Sequence, residues 1–321
     1  MKLYNKGIET KRAFIAFDNI QHISWSHLNY DNVEVKIYSS TSSAIIQKMP
    51  SGDFLVFLNS YKEYMGCVWL KFEVDSNELK EALESIQVKG KGTTANGFGN
   101  TNLGQFAKLI LHDNVLEIWN GNTTFAVKVS LTVQGQENGS VCVDSSMLLP
   151  YLKSFGDITF SVGDFILVTD GNKNASIPIV VNHPDDDALQ RIRGMMSQIA
   201  YEPVLRNLFK FGQGQFEGVA TVSEGVLKSA IKNCELVKNG VYKFDFNGDI
   251  LNISSRDSAT NKYDENITPT FTMGEPATVE FSSPVYAFFK KDQLINIYLK
   301  DEFPILLVAN DRMLLKAPTM T

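Results

Sequence analysis

The sequence predicts an α+β fold made of two duplicated domains, each carrying two helices against antiparallel sheets, behind a small N-terminal ββ(β)α module. Three observations predict it: a fourfold internal repeat, polar hairpin tips at matching places after each repeat, and the composition of an ordered globular chain. Of 321 residues, 44% are hydrophobic, 21% charged and 11% aromatic. That balance buries a substantial core and argues against extensive disorder. The length suits about two domains by the usual allowance of roughly 150 residues each.

The N-terminal module occupies residues 1–66. Strand-like alternation runs through Phe14–Phe17, Val33–Tyr38 and Ala44–Lys48. Between Asp53 and Tyr64 the apolar residues Phe54, Phe57, Leu58 and Tyr61 fall at helical spacing. A structural appendage is the reading adopted for this module.

The repeat begins beyond residue 66. Four segments stack: Val74 to Leu83, Val143 to Leu152, Val222 to Ile231 and Phe281 to Lys290, with starts separated by 69, 79 and 59 residues. Each ends a strand, passes through Asp or Ser, and continues with apolar residues three and four apart. Asp75, Asp144 and Ser223 can accept a bond from a first-turn amide, and Pro284 suits an opening helical position. Pro150 lacks an amide hydrogen and implies a late start or distorted first turn for the second helix. After each segment comes a hairpin with a polar tip. The pairs are Ala107–Leu111 with Val115–Trp119, Ile158–Val162 with Phe165–Val168, Tyr242–Phe246 with Ile250–Ile253, and Ile295–Leu299 with Pro304–Val308. Gly, Asn and Asp at the tips tolerate the positive φ of tight turns.

Two units make a domain, which places domains at residues 67–184 and 215–321. The connector, residues 185–214, carries Leu189, Ile192, Met195, Met196 and Ile199 at helical spacing and is expected to be helical. The glycine-rich stretch Lys89 to Gly104 reads as a loop, because neither GxxxxGK[ST] nor GxGxxG occurs in it.

Charge and composition exclude several function classes. The net charge of −6 gives no long-range positive field for nucleic acid or anionic membrane, so any DNA contact must be local or topological. No apolar run exceeds five residues, against the roughly 20 that span a bilayer. Met1 to Arg12 has no apolar signal core, which makes the cytoplasm the expected compartment. Cys67, Cys142 and Cys234 lack CxxC spacing and are expected to be buried thiols. His22, His27, His112 and His183 form no metal-binding pattern.

The four-unit, two-domain pattern resembles the DNA polymerase sliding clamps, particularly the two-domain PCNA type. The likeness runs over residues 67–318. Its densest local match is Val279-Glu-Phe281, Pro284 to Lys291, Ile295 to Leu299 and Met313 to Pro318, where Lys316-Ala317-Pro318 stands in the place of a closing Leu-Ala-Pro-like motif. Phe72 to Pro178 looks equally like one domain of the bacterial clamp. The resemblance implies domains with two inner helices and outer sheets, joined head to tail until twelve helices line a ring around duplex DNA. A chain with four such helices then forms a homotrimer that serves as a processivity factor, binding DNA without regard to sequence.

On the implied inner helices, Lys80, Lys153, Lys228, Lys232, Lys290 and Lys291 are the candidate phosphate contacts. Lysines also occupy any solvated helix face, and Glu78, Glu81 and Glu84 on the first helix would oppose DNA. The resemblance further implies an apolar groove that receives short peptides from polymerases and other DNA enzymes, with Ile179, Val180, Leu315, Ala317 and Pro318 as its wall. Leu314 is expected simply to finish a sheet.

No nucleophile, base or metal constellation stands out, so the chain is read as a non-enzyme without cofactor. Asp185-Asp186-Asp187, the densest carboxylate group, suits the N-terminus of a following helix; metal binding is the second use such a cluster could serve. The alternative function is a non-enzymatic oligomeric assembly protein, viral or from a mobile element, built from duplicated β-rich domains.

Overall fold

The computed structural model describes residues 2–4, 7–9, 14–16, 20–27, 32–39, 42–50, 70–87, 106–121, 125–163, 165–179, 194, 196–202, 208–257, 261–282 and 288–319. Among the described residues the N-terminal region has six strands: β1 (Lys2–Tyr4), β2 (Gly7–Glu9), β3 (Phe14–Ala16), β4 (Ile20–His27), β5 (Asn32–Ser39) and β6 (Ser42–Pro50). They make two three-stranded antiparallel sheets, β1-β2-β3 and β4-β5-β6. The three strands expected there are present, together with β4, whose Ile23 and Trp25 alternate with polar neighbours. The helix expected over Asp53–Tyr64 lies outside the described residues.

The first repeated half follows as β7 (Leu70–Asp75), α1 (Ser76–Ser85), β8 (Phe106–His112), β9 (Val115–Gly121), β10 (Phe125–Thr132), β11 (Gln134–Glu137), β12 (Gly139–Asp144), α2 (Ser145–Leu152), β13 (Asp157–Val162), β14 (Ile166–Thr169) and β15 (Asn174–Ile177). Then come β16 (Ile199–Glu202), β17 (Leu208–Phe211) and β18 (Gly214–Gln215), which form a three-stranded sheet. The second half is β19 (Gly218–Ser223), α3 (Glu224–Glu235), β20 (Val241–Phe246), β21 (Leu251–Arg256), β22 (Lys262–Ile267), β23 (Phe271–Gly274), β24 (Ala277–Ser282), β25 (Leu294–Leu299), β26 (Ile305–Ala309) and β27 (Arg312–Lys316).

The two halves have the same topology. In the first, β12-β8-β9-β10 form one row and β11-β7-β13-β14-β15 another; in the second, the rows are β24-β20-β21-β22 and β23-β19-β25-β26-β27. One row of each half fuses across the middle of the chain, because β10 pairs antiparallel with β27. The result is a nine-stranded sheet. The strand period of two gives this sheet two apolar faces. Ile305, Leu307, Ala309 and Leu314 enter one cluster, which extends through both halves and takes in the buried helix faces. Leu306, Val308, Met313 and Leu315 enter a second cluster on the other face.

All three described helices start where the capping residues dictate. Asp75 accepts bonds from the amides of Asn77 (2.8 Å) and Glu78 (3.0 Å), and Asp144 from that of Ser146 (2.8 Å). Ser223 caps α3 through the amide of Val226 (3.4 Å). The implied late start of α2 is corrected: the helix begins at Ser145 and contains Pro150. With only two residues beyond the proline, the helix ends almost as soon as its missing amide is felt. Residues 283–287 of the fourth candidate helix lie outside the described residues. Phe288 has 3₁₀ geometry, and Lys290 and Lys291 lie in the turn that leads into β25 rather than on a helix.

The helical connector is also corrected. Gly194 and Met196 are helical, but Ile199–Glu202 and Leu208–Phe211 are paired strands. Their register sets Ile199 opposite Phe211, a β-branched and aromatic pairing that favours a hairpin over a continued helix. Residues 185–193, with the three consecutive aspartates, lie outside the described residues, as does the stretch 89–104.

Candidate functional site

The helices bury one stripe and expose the other. In α1, Ser76, Leu79, Ala82 and Leu83 are buried, and Asn77, Glu78, Glu81 and Glu84 are exposed. The Ser76 hydroxyl donates to the carbonyl of Phe155 (2.6 Å), which ties α1 to the end of α2. In α2, Ser145, Leu148, Leu149 and Leu152 are buried, leaving Ser146, Met147, Pro150 and Tyr151 exposed. In α3, Leu227, Ala230, Ile231 and Cys234 point inward, with Val226, Ser229, Lys232 and Glu235 outward. Burial pushes the Cys234 thiol up to about 11, with the charge of Glu265 adding to the shift, so it is a packing residue. Cys142 is a second buried thiol; Cys67 lies outside the described residues.

The six candidate lysines have different local surroundings. Lys80 is half-buried on α1 beside three exposed glutamates, and Lys153 is exposed at the C-cap of α2. Lys228 pairs with the buried Glu224 one turn earlier (3.3 Å). Lys232 is exposed in the last turn of α3, where a cation complements the helix dipole. Lys290 bridges Glu81 (3.5 Å) and Asp311 (3.1 Å), and Lys291 is exposed next to it.

Lys290 belongs to a charged seam between the two halves. Arg312, whose side chain is 1% exposed, pairs with Glu81 of α1 (2.7 Å), donates to the carbonyl of Phe288, and lies over the Phe288 ring (5.7 Å). Asp311 accepts from Gln293 (2.6 Å), and its backbone carbonyl accepts from the Ser130 amide (2.8 Å). Burial alone would raise the Asp311 carboxyl. The hydrogen bonds from Lys290 and Gln293 and the charge of Arg312 outweigh it and hold the group below its ordinary value. Glu81, which the sequence marks only as an obstacle to DNA, is thus the first half's contribution to the seam.

Of the residues expected to wall a peptide groove, Leu315 is covered by the chain itself. Leu315 is 2% exposed within the second cluster, beside Met196, Phe216 and Trp119. Phe209 meets Tyr298 edge-on at 5.0 Å; Phe211 and Phe216 meet Phe303 at 5.9 and 5.3 Å. Leu315 as an open groove wall is therefore corrected: the connector hairpin covers its face of the sheet. Leu314 is buried on the opposite face, as a residue that finishes a strand. Ile179, Ala317 and Pro318 are half-buried, and Val180 lies outside the described residues. The C-terminal tail is held along β24 by the Thr319 amide donating to Glu280 (2.7 Å).

Each strand of the fused junction has a counterpart in the other half. β10 corresponds in the second half to β22, and β27 corresponds in the first to β15. Among the described residues, β22 and β15 are the outer strands of their sheets. The helix next to each edge is partly bare and apolar: Met147 and Tyr151 of α2 are 49% and 42% exposed, and Val226 of α3 is 40% exposed.

By sequence the chain matches no family model and no curated protein. By structure it resembles PCNA from A. fulgidus, solved with the C-terminal region of FEN-1. The TM-score is 0.57 and the identity 14%, over 78% of this chain and 99% of that one. It resembles the DNA polymerase III beta subunit of Thermotoga maritima with TM-score 0.58 and identity 16%, over 92% of this chain and 76% of that one. For a putative beta subunit from Eubacterium rectale the values are 0.60 and 12%, over 89% and 73%. The fold is therefore that of the sliding clamps. The chain spans nearly all of the A. fulgidus PCNA and about three quarters of these two bacterial subunits.

Proposed function

We propose that this chain is a DNA sliding clamp, a non-enzymatic processivity factor that closes with copies of itself around duplex DNA and tethers replication enzymes. The observation that carries the reading is the duplicated architecture with its one fused and one open junction. The β10–β27 pairing joins two halves of like topology, and the counterparts of those strands, β22 and β15, are the outer strands of their sheets among the described residues. A head-to-tail interface of this kind closes into a ring when its rotation allows. With four repeat units per chain and the twelve-helix ring that the resemblance implies, closure takes three copies. The neighbouring structure of PCNA with part of FEN-1 supports short peptides of DNA enzymes as partners. Ile179, Ala317 and Pro318 are then the accessible rim of their site.

DNA is held by topology more than by charge on this reading, since Glu78, Glu81 and Glu84 stand on the exposed face of α1. Loaded onto nicked circular DNA, the protein is expected to remain bound through gel filtration and to be released when the circle is linearised. Replacing Lys80, Lys153 and Lys232 together by Ala should lower the salt-sensitive part of retention and leave the difference between circle and line. The glutamates favour a second reading, an oligomeric assembly protein that encircles nothing. It predicts equal release from circular and linear DNA, a result that would overturn the clamp.

A further inference from the structure

The geometry points to a defined register for the open junction, in which Lys173 of one copy faces Glu265 of the next; this inference rests on the ring reading above. The register follows from the duplication. In the fused junction, Val129 faces Arg312, Val127 faces Leu314, and Ala126 faces Leu315. Matching pairs within the two halves fix the equivalences. β9 sets Ile118 against Val129, as β21 sets Ile253 against Glu265. β26 sets Val308 against Met313, as β14 sets Thr169 against Asn174. Glu265 therefore stands in the place of Val129, and Lys173 in the place of Arg312. The same shift sets Tyr263 opposite Ala175, Asp264 opposite Asn174 and Lys262 opposite Ser176.

The pairs fit. Lys173 and Glu265 share the helix side of their strands, since Ala175 and Ile267, two residues from each, belong to the inner cluster. Lys173 donates to the carbonyl of Ser154 and lies over the Phe155 ring at 5.6 Å, with Asp170 3.9 Å away, so its ammonium is held at the strand edge. Glu265 accepts from the Tyr263 hydroxyl (2.5 Å), which in turn accepts from Asn233 of α3 (3.0 Å). Opposite charges directly across a strand pair are favourable and like charges are not. The large Tyr263 ring meets the small Ala175, a volume match that neither residue would offer a copy of itself.

The two junctions also differ in where the carboxylate sits. At the fused junction Arg312 takes Glu81 from the helix and faces the apolar Val129 on the strand. At the open junction the helix position equivalent to Glu81, six residues after the N-cap, is Ser229, and the strand position supplies Glu265. The cation is kept and its partner moves, which makes one copy's β15 specific for another copy's β22.

The test is the assembly equilibrium of the full-length protein, measured by sedimentation for the wild type, Lys173→Glu, Glu265→Lys and the double variant. Each single reversal is expected to raise the dissociation constant about tenfold or more, and the double reversal to bring it back to within about threefold of wild type. Both single variants should keep the circular dichroism and melting behaviour of the folded chain. Rescue by the double variant supports the register. A wild type that assembles while single reversals have no effect, or while the double variant stays weak, overturns the register and leaves ring closure standing. A wild type that stays monomeric at all concentrations overturns both.

Discussion

Arg312→Ala is expected to destabilise the folded chain by about 2–4 kcal/mol, because it strips a buried cation from a site built around it. Four contacts go at once: the ion pairs with Glu81 and Asp311, the bond to the Phe288 carbonyl and the stacking on the Phe288 ring. Glu81 is half-exposed and returns to water at little cost, which keeps the loss below that of a fully buried pair. Arg312→Lys keeps the charge but not the planar fork that serves two acceptors, and should fall between the two. Chemical denaturation reads these differences. Acid reads the same seam. Asp311 sits below its ordinary 3.8, so its contribution is present above that value and is lost as pH falls through the lower native one. Without Arg312 that contribution shrinks, and the gap between variant and wild type should narrow in strong acid.

Phe216→Ala should cost about 3–5 kcal/mol, the usual range for emptying a large buried aromatic site. Phe216 is fully buried between Tyr298 and Phe303, 6.1 and 5.3 Å from their ring centres. Gly214 keeps that corner closed: a Cβ there would lie 2.6 Å from Phe303, so the ring rests directly on the backbone. Loss of Phe216 removes one of the contacts that hold β18 against the sheet beneath it. The connector hairpin should then loosen before the rest of the fold, and its amides should exchange faster than those of β25 to β27. Hydrogen exchange with mass spectrometry separates that local opening from a uniform loss of stability.

What the sequence discloses follows from how local each interaction is. The caps Asp75, Asp144 and Ser223 and the polar tips of the four hairpins are signals within a few residues of the structure they produce, and all three helix starts and all four hairpins are where those signals put them. Glu81 and Arg312 are 231 residues apart, and no local pattern links them. The connector misleads for a different reason. Its apolar residues up to Ile199 have helical spacing, but Phe209, Lys210 and Phe211 followed by Gly212 carry the alternation and turn of a hairpin. That second signal decides β16, β17 and β18. The segment of Lys290 aligns with three others that are helical, but a turn with Gln293 and Asp311 holds it instead. Leu315 and Leu314 adjoin in sequence and lie on opposite faces of one sheet, and only the covering hairpin makes the outer one inaccessible.

Light scattering coupled to size exclusion weighs the assembled protein directly. Three copies of the 35.8 kDa chain in a closed ring predict a single species of three times the chain mass, falling to one chain on dilution without a stable open intermediate. A mass of one chain at every concentration, or a ladder of lengthening oligomers with no end point, would contradict a ring closed by β15 and β22.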